Sequence, residues 1–179
     1  MFGKIYALPI ATMIFLAAAG TALWILSGLL QENRITKMVK TVILILVTFF
    51  ILQSTLFGRE TYEEQRLSLE PFASFEAAKI QPEVYRSVLL NFLMFLPFGL
   101  SIAWLLPARW KTMWRALLVI LPGLIFSLTI EMLQYYLCLG IAETDDVIFN
   151  TLGCVFAAGV IPLRDRVIRT GQNRHRNSI

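Results

Sequence analysis

Residues 114–139 read WRALLVILPGLIFSLTIEMLQYYLCL, and how this stretch folds decides how the rest folds. It carries no charge between Arg115 and Glu131. About 20 predominantly apolar residues in a helix cross the ~30 Å hydrocarbon core of a bilayer, so the stretch reads as a transmembrane helix. Working outward, four more apolar blocks occur: residues 5–30; 38–57, MVKTVILILVTFFILQSTLF; 87–106, SVLLNFLMFLPFGLSIAWLL; and 146–163, shorter and rich in small residues. Open strands in lipid would leave backbone groups unpaired, so helix is the conformation these blocks can take. The chain is 57% hydrophobic and 16% charged, against about a quarter charged in a soluble domain. The expected fold is therefore all-α: a polytopic membrane helix bundle with five transmembrane helices over residues 1–163, followed by a basic tail, 164–179. The first block exceeds the ~7–15 residues of a signal-peptide apolar region and ends in QENR without a small-residue cleavage site, so it reads as a retained helix.

Orientation is read from Lys and Arg. Arg34, Lys37 and Lys40 lie between or beside the first two blocks; Arg109, Lys111 and Arg115 lie between the third and fourth; the tail carries Arg164, Arg166, Arg169, Arg174 and Arg176. The positive-inside rule places all of these in the cytoplasm. The N-terminus is then outside and the C-terminus inside, with loop 58–86 and the acid-rich loop before the last block on the extracytoplasmic side. The net charge of +4 comes from residues flanking apolar blocks, which excludes nucleic acid and points to the lipid bilayer as partner. Trp104, Trp110 and Trp114 fall where an aromatic belt at the cytoplasmic interface belongs. The end, TGQNRHRNSI, reads as a disordered tail holding the one histidine, His175, in water. Cys138 and Cys154 have no C-x-x-C spacing and read as buried free thiols.

Against this apolar background the stretch 130–153, IEMLQYYLCLGIAETDDVIFNTLG, is conspicuously polar. Glu131 and Gln134 are three apart near the outer end of the fourth helix and share one face; Asp146 and Asn150 are four apart at the outer start of the fifth and again share a face. Asn91 enters from the outer part of the third helix. The topology thus brings Asn91, Glu131, Gln134, Glu143, Asp146 and Asn150 to one depth, beneath a loop that offers Arg59, Arg66 and Glu70. The expectation is an acid-rich pocket open to the extracytoplasmic side, with Arg59, Asn91, Glu131, Gln134, Glu143, Asp146 and Asn150 as its binding residues. A carboxylate inside a span costs about 2.5–3.5 kcal/mol on insertion scales and is by default a functional candidate. The bland alternative is that Glu131 bonds Asn91 or Asn150 and glues three helices. Asp145 reads as a helix cap and Asp146 as a site residue. Asn150, Gly153 and Ala157 form a small-residue stripe suited to close helix packing. Pro97 predicts a bend in the third helix, beside which Phe95 and Phe98 either line a cavity or pack. Loop 58–86 mixes charge with Leu69, Phe72, Phe75 and Ile80, which suits a lid or interfacial piece as well as a plain connector.

Over about residues 59–160 the sequence resembles the VanZ-like family of bacterial membrane proteins, named for a glycopeptide (teicoplanin) resistance protein. Arg59 precedes SLEPFASF, where the family carries an arginine and an NLIPF-like stretch. Asn91, Phe95, Pro97 and Gly99 match the family's next span; Ser127, Ile130, Glu131 and Gln134 match the following one; Glu143, Asp146, Asn150, Thr151, Leu152 and Gly153 match its acidic pattern leading into NTLG. The arginine that usually precedes the acidic pattern is missing from LGIAETDD, and Arg59 or Arg66 is expected to substitute. The resemblance implies a multi-pass protein of the bacterial plasma membrane acting at the cell envelope in lowering glycopeptide susceptibility.

Two function classes follow. One is a membrane-embedded binding or protective protein that engages a lipid-linked cell-wall precursor or a glycopeptide antibiotic. The other is a hydrolase or transferase on a lipid-linked glycan or phosphate, with Glu131 as general acid/base and Asp146 assisting as the second catalytic residue. No cofactor or metal is expected, since oxygen donors without His or Cys make a weak metal signature.

Overall fold

The computed structural model describes residues 10–27, 33–57, 61–81 and 83–176. Seven helices and two short strands follow in order: α1 (Ile10–Leu26), α2 (Arg34–Thr55), β1 (Arg66–Ser68), α3 (Ala73–Ile80), α4 (Glu83–Leu105), α5 (Thr112–Tyr136), β2 (Ile141–Glu143), α6 (Thr144–Gly159) and α7 (Ile161–Arg176). Four stretches are long and apolar enough to cross a membrane: α2, α4, α5, and the run Thr144–Thr170 made of α6 and much of α7. The first apolar block appears as the shorter α1, and the ends of that block, 5–9 and 28–30, lie outside the described residues.

The helices follow from their sequences. Asn33 caps α2, its side chain accepting a hydrogen bond from the Thr36 amide at 2.8 Å. Hydroxyls inside the apolar helices bond back to the carbonyl four residues earlier, as Thr48 does to Leu44 and Thr55 to Ile51, each at 2.8 Å. No polar side chain is thereby presented bare to lipid at those positions. Pro97 and Pro122 sit within α4 and α5, both half-buried, as membrane helices tolerate. Outward faces are apolar: Ile45 and Phe49 on α2, Ile125 and Met132 on α5, and Phe156 on α6 are all exposed. Such a surface suits lipid, not water.

Helix α4 is the hub, packing against α6, α2, α5, α1 and α3. It meets α6 at near-backbone contact. A Cβ added at Gly153 would lie 2.5 Å from the Phe92 carbonyl oxygen and 2.9 Å from the Leu96 nitrogen, and one at Gly99 would lie 2.7 Å from the Ala157 Cβ. The small-residue stripe is therefore a packing seam. Phe95 and Phe98 are buried and contact each other and Phe126, with ring centroids 5.2–5.8 Å apart, so they pack in the core rather than line a cavity.

Two details differ from an all-helical expectation. Strand β1 pairs in parallel with β2, aligning Arg66 with Ile141 and Ser68 with Glu143. Residues outside the hydrocarbon are free to pair as strands, which helical periodicity cannot reveal. The basic segment expected as a disordered tail is helical through Arg176, continuing α7 from its apolar start at Ile161. Cys138 and Cys154 are both free thiols, but only Cys154 is buried; Cys138, in the turn after α5, is partly exposed.

A capped acidic cluster at one end of the bundle

Helices α2 and α5 end, and α4 and α6 begin, at one end of the bundle. The loop between α2 and α4 folds across that end. Its aromatics explain why: Phe75 of α3 packs between Tyr85 of α4 and Phe149 of α6, with centroids 5.8 Å from each. The loop is thus a lid and not a plain connector. Leu67, Leu69, Phe72 and Ile80 remain exposed on it.

Carboxylates beneath the lid hold it down. Asp145, buried in the first turn of α6, accepts hydrogen bonds from the Phe72 amide at 2.5 Å and the Ser74 amide at 2.8 Å. It therefore caps α3, a helix some 70 residues away in sequence, whereas the N-cap of its own helix is Glu143, which makes no side-chain cap bond. Phe72 has a φ of 66°, rare for a bulky residue, and the Asp145 bond to its amide holds that conformation. Ser74 Oγ also donates to Glu143 at 3.5 Å, and Thr144 Oγ1 donates to the Ser68 carbonyl at 3.3 Å.

Glu131 is 7% exposed, and its Oε2 accepts from the Glu143 amide at 2.9 Å. The carboxylate that seemed misplaced in a span thus binds the start of the returning chain, where β2 meets α6. Asn91 donates to Asp146 Oδ1 at 2.5 Å, joining α4 to α6. Asn150 donates to Ser127 at 2.9 Å, one turn deeper, joining α6 to α5.

Of the expected site residues, Asn91, Glu131, Glu143 and Asp146 meet at this end in two bonded pairs, with Asn150 just below. Glu131 accepts from the backbone of residue 143, at the start of the returning chain. Gln134 departs from the group: fully buried, it donates to the Thr55 carbonyl at 2.9 Å and ties α5 to the C-terminal end of α2. Its neighbour three residues back on the same face simply meets a different helix. Arg59 lies outside the described residues. Arg66, the other residue expected to stand in for the arginine missing before the acidic pattern, is exposed with its guanidinium 4.2 Å from the centre of the Tyr62 ring. Arg86, half-buried near the start of α4, is a base at this end that sequence reasoning did not single out. Its position within the first turns of a helix whose Asn91 was already chosen was the available signal.

The expected pocket and the observed cavity are not the same place. A cavity of about 670 Å³ lies between α1, α2 and α4, and no residue of the acidic cluster lines it. Among the described residues, no group of three or more His, Cys, Asp or Glu side chains is arranged to hold a metal ion.

Residues 38–165 match the VanZ/LLP1 family. The chain belongs to that family. The match runs from the first turns of α2 to the start of α7, wider than the stretch over which motifs alone suggested it, and includes every described residue of the acidic cluster. Protein VanZ of Enterococcus faecium is 31% identical over 116 residues, which cover 63% of this chain and 62% of that protein. The alignment thus spans less than two thirds of the relative's length. No solved structure matches. Family and apolar helices together make this a VanZ-like membrane protein.

Proposed function

We propose that this chain is a multi-pass protein of the bacterial plasma membrane whose acidic end faces outward and whose capped cluster engages a lipid-linked wall component or a glycopeptide of the teicoplanin type, lowering susceptibility to it. The N-terminus is outside and the C-terminus inside. One observation carries the reading: Glu131, Glu143, Asp145 and Asp146 gather with Asn91 under a lid that Asp145 and Glu143 fasten. Carboxylate oxygens and an amide suit the hydroxyls of a sugar and the amines of a lipoglycopeptide. The exposed Leu67, Leu69, Phe72 and Ile80 on the lid suit the headgroup boundary, where an amphiphile would arrive. Binding is favoured over catalysis because one oxygen of Glu131 is already committed to a backbone amide.

The test expresses the chain in a susceptible bacterium and measures teicoplanin tolerance beside membrane protein level. Glu131→Gln keeps the shape of the side chain and an acceptor for the Glu143 amide, so tolerance should persist; its loss at unchanged protein level would favour Glu131 as general acid/base. Glu131→Ala should lower the protein level itself. Single-cysteine labelling of positions 143–146 should succeed from outside intact cells. Labelling only from within, or no tolerance from the unaltered chain, ends this reading.

A further inference from the structure

The cavity between α1, α2 and α4 starts at Leu90, one residue before Asn91, and runs along α4 toward the opposite, basic end, where Lys40, Arg115 and Arg164 are buried. No charged residue lines it. Its two hydroxyls are spent on their own helices: Thr21 donates to the Ala17 carbonyl at 2.8 Å and Ser101 to the Pro97 carbonyl at 2.7 Å. The indole nitrogens of its two tryptophans, Trp24 and Trp104, are covered. The wall therefore offers an occupant dispersion contacts and no hydrogen bond. Leu16, Leu23, Leu46 and Phe50 line the cavity and are also exposed, so it opens sideways onto the lipid-facing surface of α1 and α2.

Its dimensions narrow the occupant. Leu90 and Trp104, the first and last α4 residues that line it, are separated by about 21 Å at the helical rise of ~1.5 Å per residue. A volume of about 670 Å³ over that length leaves a cross-section of about 32 Å², a bore about 6 Å across. A helix about 10 Å wide does not fit. Carbon atoms in contact stand about 3.5–4.0 Å apart, so a straight hydrocarbon chain is about 4–5 Å across and two abreast need about 8 Å or more. A methyl branch adds one carbon–carbon bond of about 1.5 Å and brings a single chain to about 6 Å. A straight chain leaves a gap on one side, and even a ~1 Å gap forfeits up to about half of each contact. Gly20 points the same way. In mid-helix a glycine costs about 0.5–1 kcal/mol relative to alanine. Gly99, Gly123 and Gly153 offset that by close helix contact, since an added Cβ at each would collide with a neighbouring helix. At Gly20 an added Cβ meets nothing within 4 Å, and the residue lines the cavity, so its missing side chain serves to keep the bore clear.

We propose that this groove holds one methyl-branched polyprenyl chain, the tail of the lipid-linked wall component, which enters sideways from the bilayer between α1 and α2. The proposal rests on the function proposed above and names the hydrocarbon class of its ligand. Helix α4 is the wall shared by two sites: Asn91 turns to α6 and the acids, while Leu90, Leu93, Met94 and Pro97 line the groove.

Native mass spectrometry of the full chain in detergent tests it, with geranylgeranyl phosphate and hexadecyl phosphate as ligands. The two have identical heads and backbones of equal length, and differ in methyl branches and unsaturation. The branched phosphate should form a one-to-one adduct at least about tenfold more tightly, since even one methylene of misfit in an apolar pocket is worth about that much. Gly20→Leu puts a side chain into the bore and should abolish the preference. Leu46→Trp fills the same space from α2, at a residue exposed in the structure, and should do likewise, so the result does not hang on one variant folding. Equal binding of the two phosphates, a preference that survives both substitutions, or a dimer that Gly20→Leu abolishes would each overturn the proposal. Teicoplanin tolerance without the preference would sink this inference and leave the proposed function standing; the preference without tolerance would support the groove and sink that function.

Discussion

The two ends of the bundle handle buried polarity in opposite ways. At the acidic end, carboxylates accept from backbone amides of the chain that folds over them: two for Asp145 and one for Glu131. At the basic end, a side chain meets a side chain in Arg115 with Asp165, cations lie on indole faces, and two Arg115 nitrogens, two indole nitrogens and one Asp165 oxygen have no hydrogen-bond partner among the described residues. Asp145 and Glu131 organise backbone, whereas the Arg115–Asp165 pair joins helices. The difference is chemical: a carboxylate can accept several amide protons from a loop, whereas a guanidinium needs acceptors that an apolar helix face does not offer.

Three substitutions would break or sharpen that contrast. Arg115→Ala leaves Asp165 without its buried partner and should cost about 3–5 kcal/mol of global stability, read as unfolding in mixed micelles; replacing both residues by Met should recover most of it. A small effect of the single change would mean that the basic end is not held by this pair. Asp145→Ala strips the cap from α3 and should cost about 1–2 kcal/mol, locally. Amide exchange should rise over residues 66–80 while α4 to α6 stay protected; uniform loosening would show that lid and bundle are one cooperative unit. Ser127→Ala removes the acceptor of Asn150 and should cost about 0.6 kcal/mol, typical of a hydrogen bond between helices in a membrane. A loss several times larger would place the keystone of the acidic end one turn deeper than Glu131.

Much of the architecture was legible because lipid allows few options. Long apolar blocks must be helices, and these blocks produced α2, α4, α5 and the run from α6 into α7. Helical spacing also placed the face of Glu131 with Gln134, and that of Asp146 with Asn150, toward protein. Their partners were not legible. Gln134 turned to Thr55 because α2 ends beside it, and Glu131 met the amide of residue 143 because the chain returns there in a tight turn, with Cys138 at φ 54° and Gly140 at φ 103°. Asp145 read as an ordinary cap for α6 because local spacing points nowhere else, yet it caps α3.

From the sequence alone come the helical character, the grouping of most acids at one end and of most bases at the other, and the small-residue seam. Each of these is fixed by periodicity and by the bilayer's demand that backbone be paired within the segment. Tertiary structure alone decided that residues 66–68 run parallel to 141–143, that the lid is fastened by Asp145, and that a cavity lies between α1, α2 and α4, away from the acids. Those outcomes depend on which chain segments close the ends of the helices, and loop closure over some 70 residues leaves no period in the sequence to read.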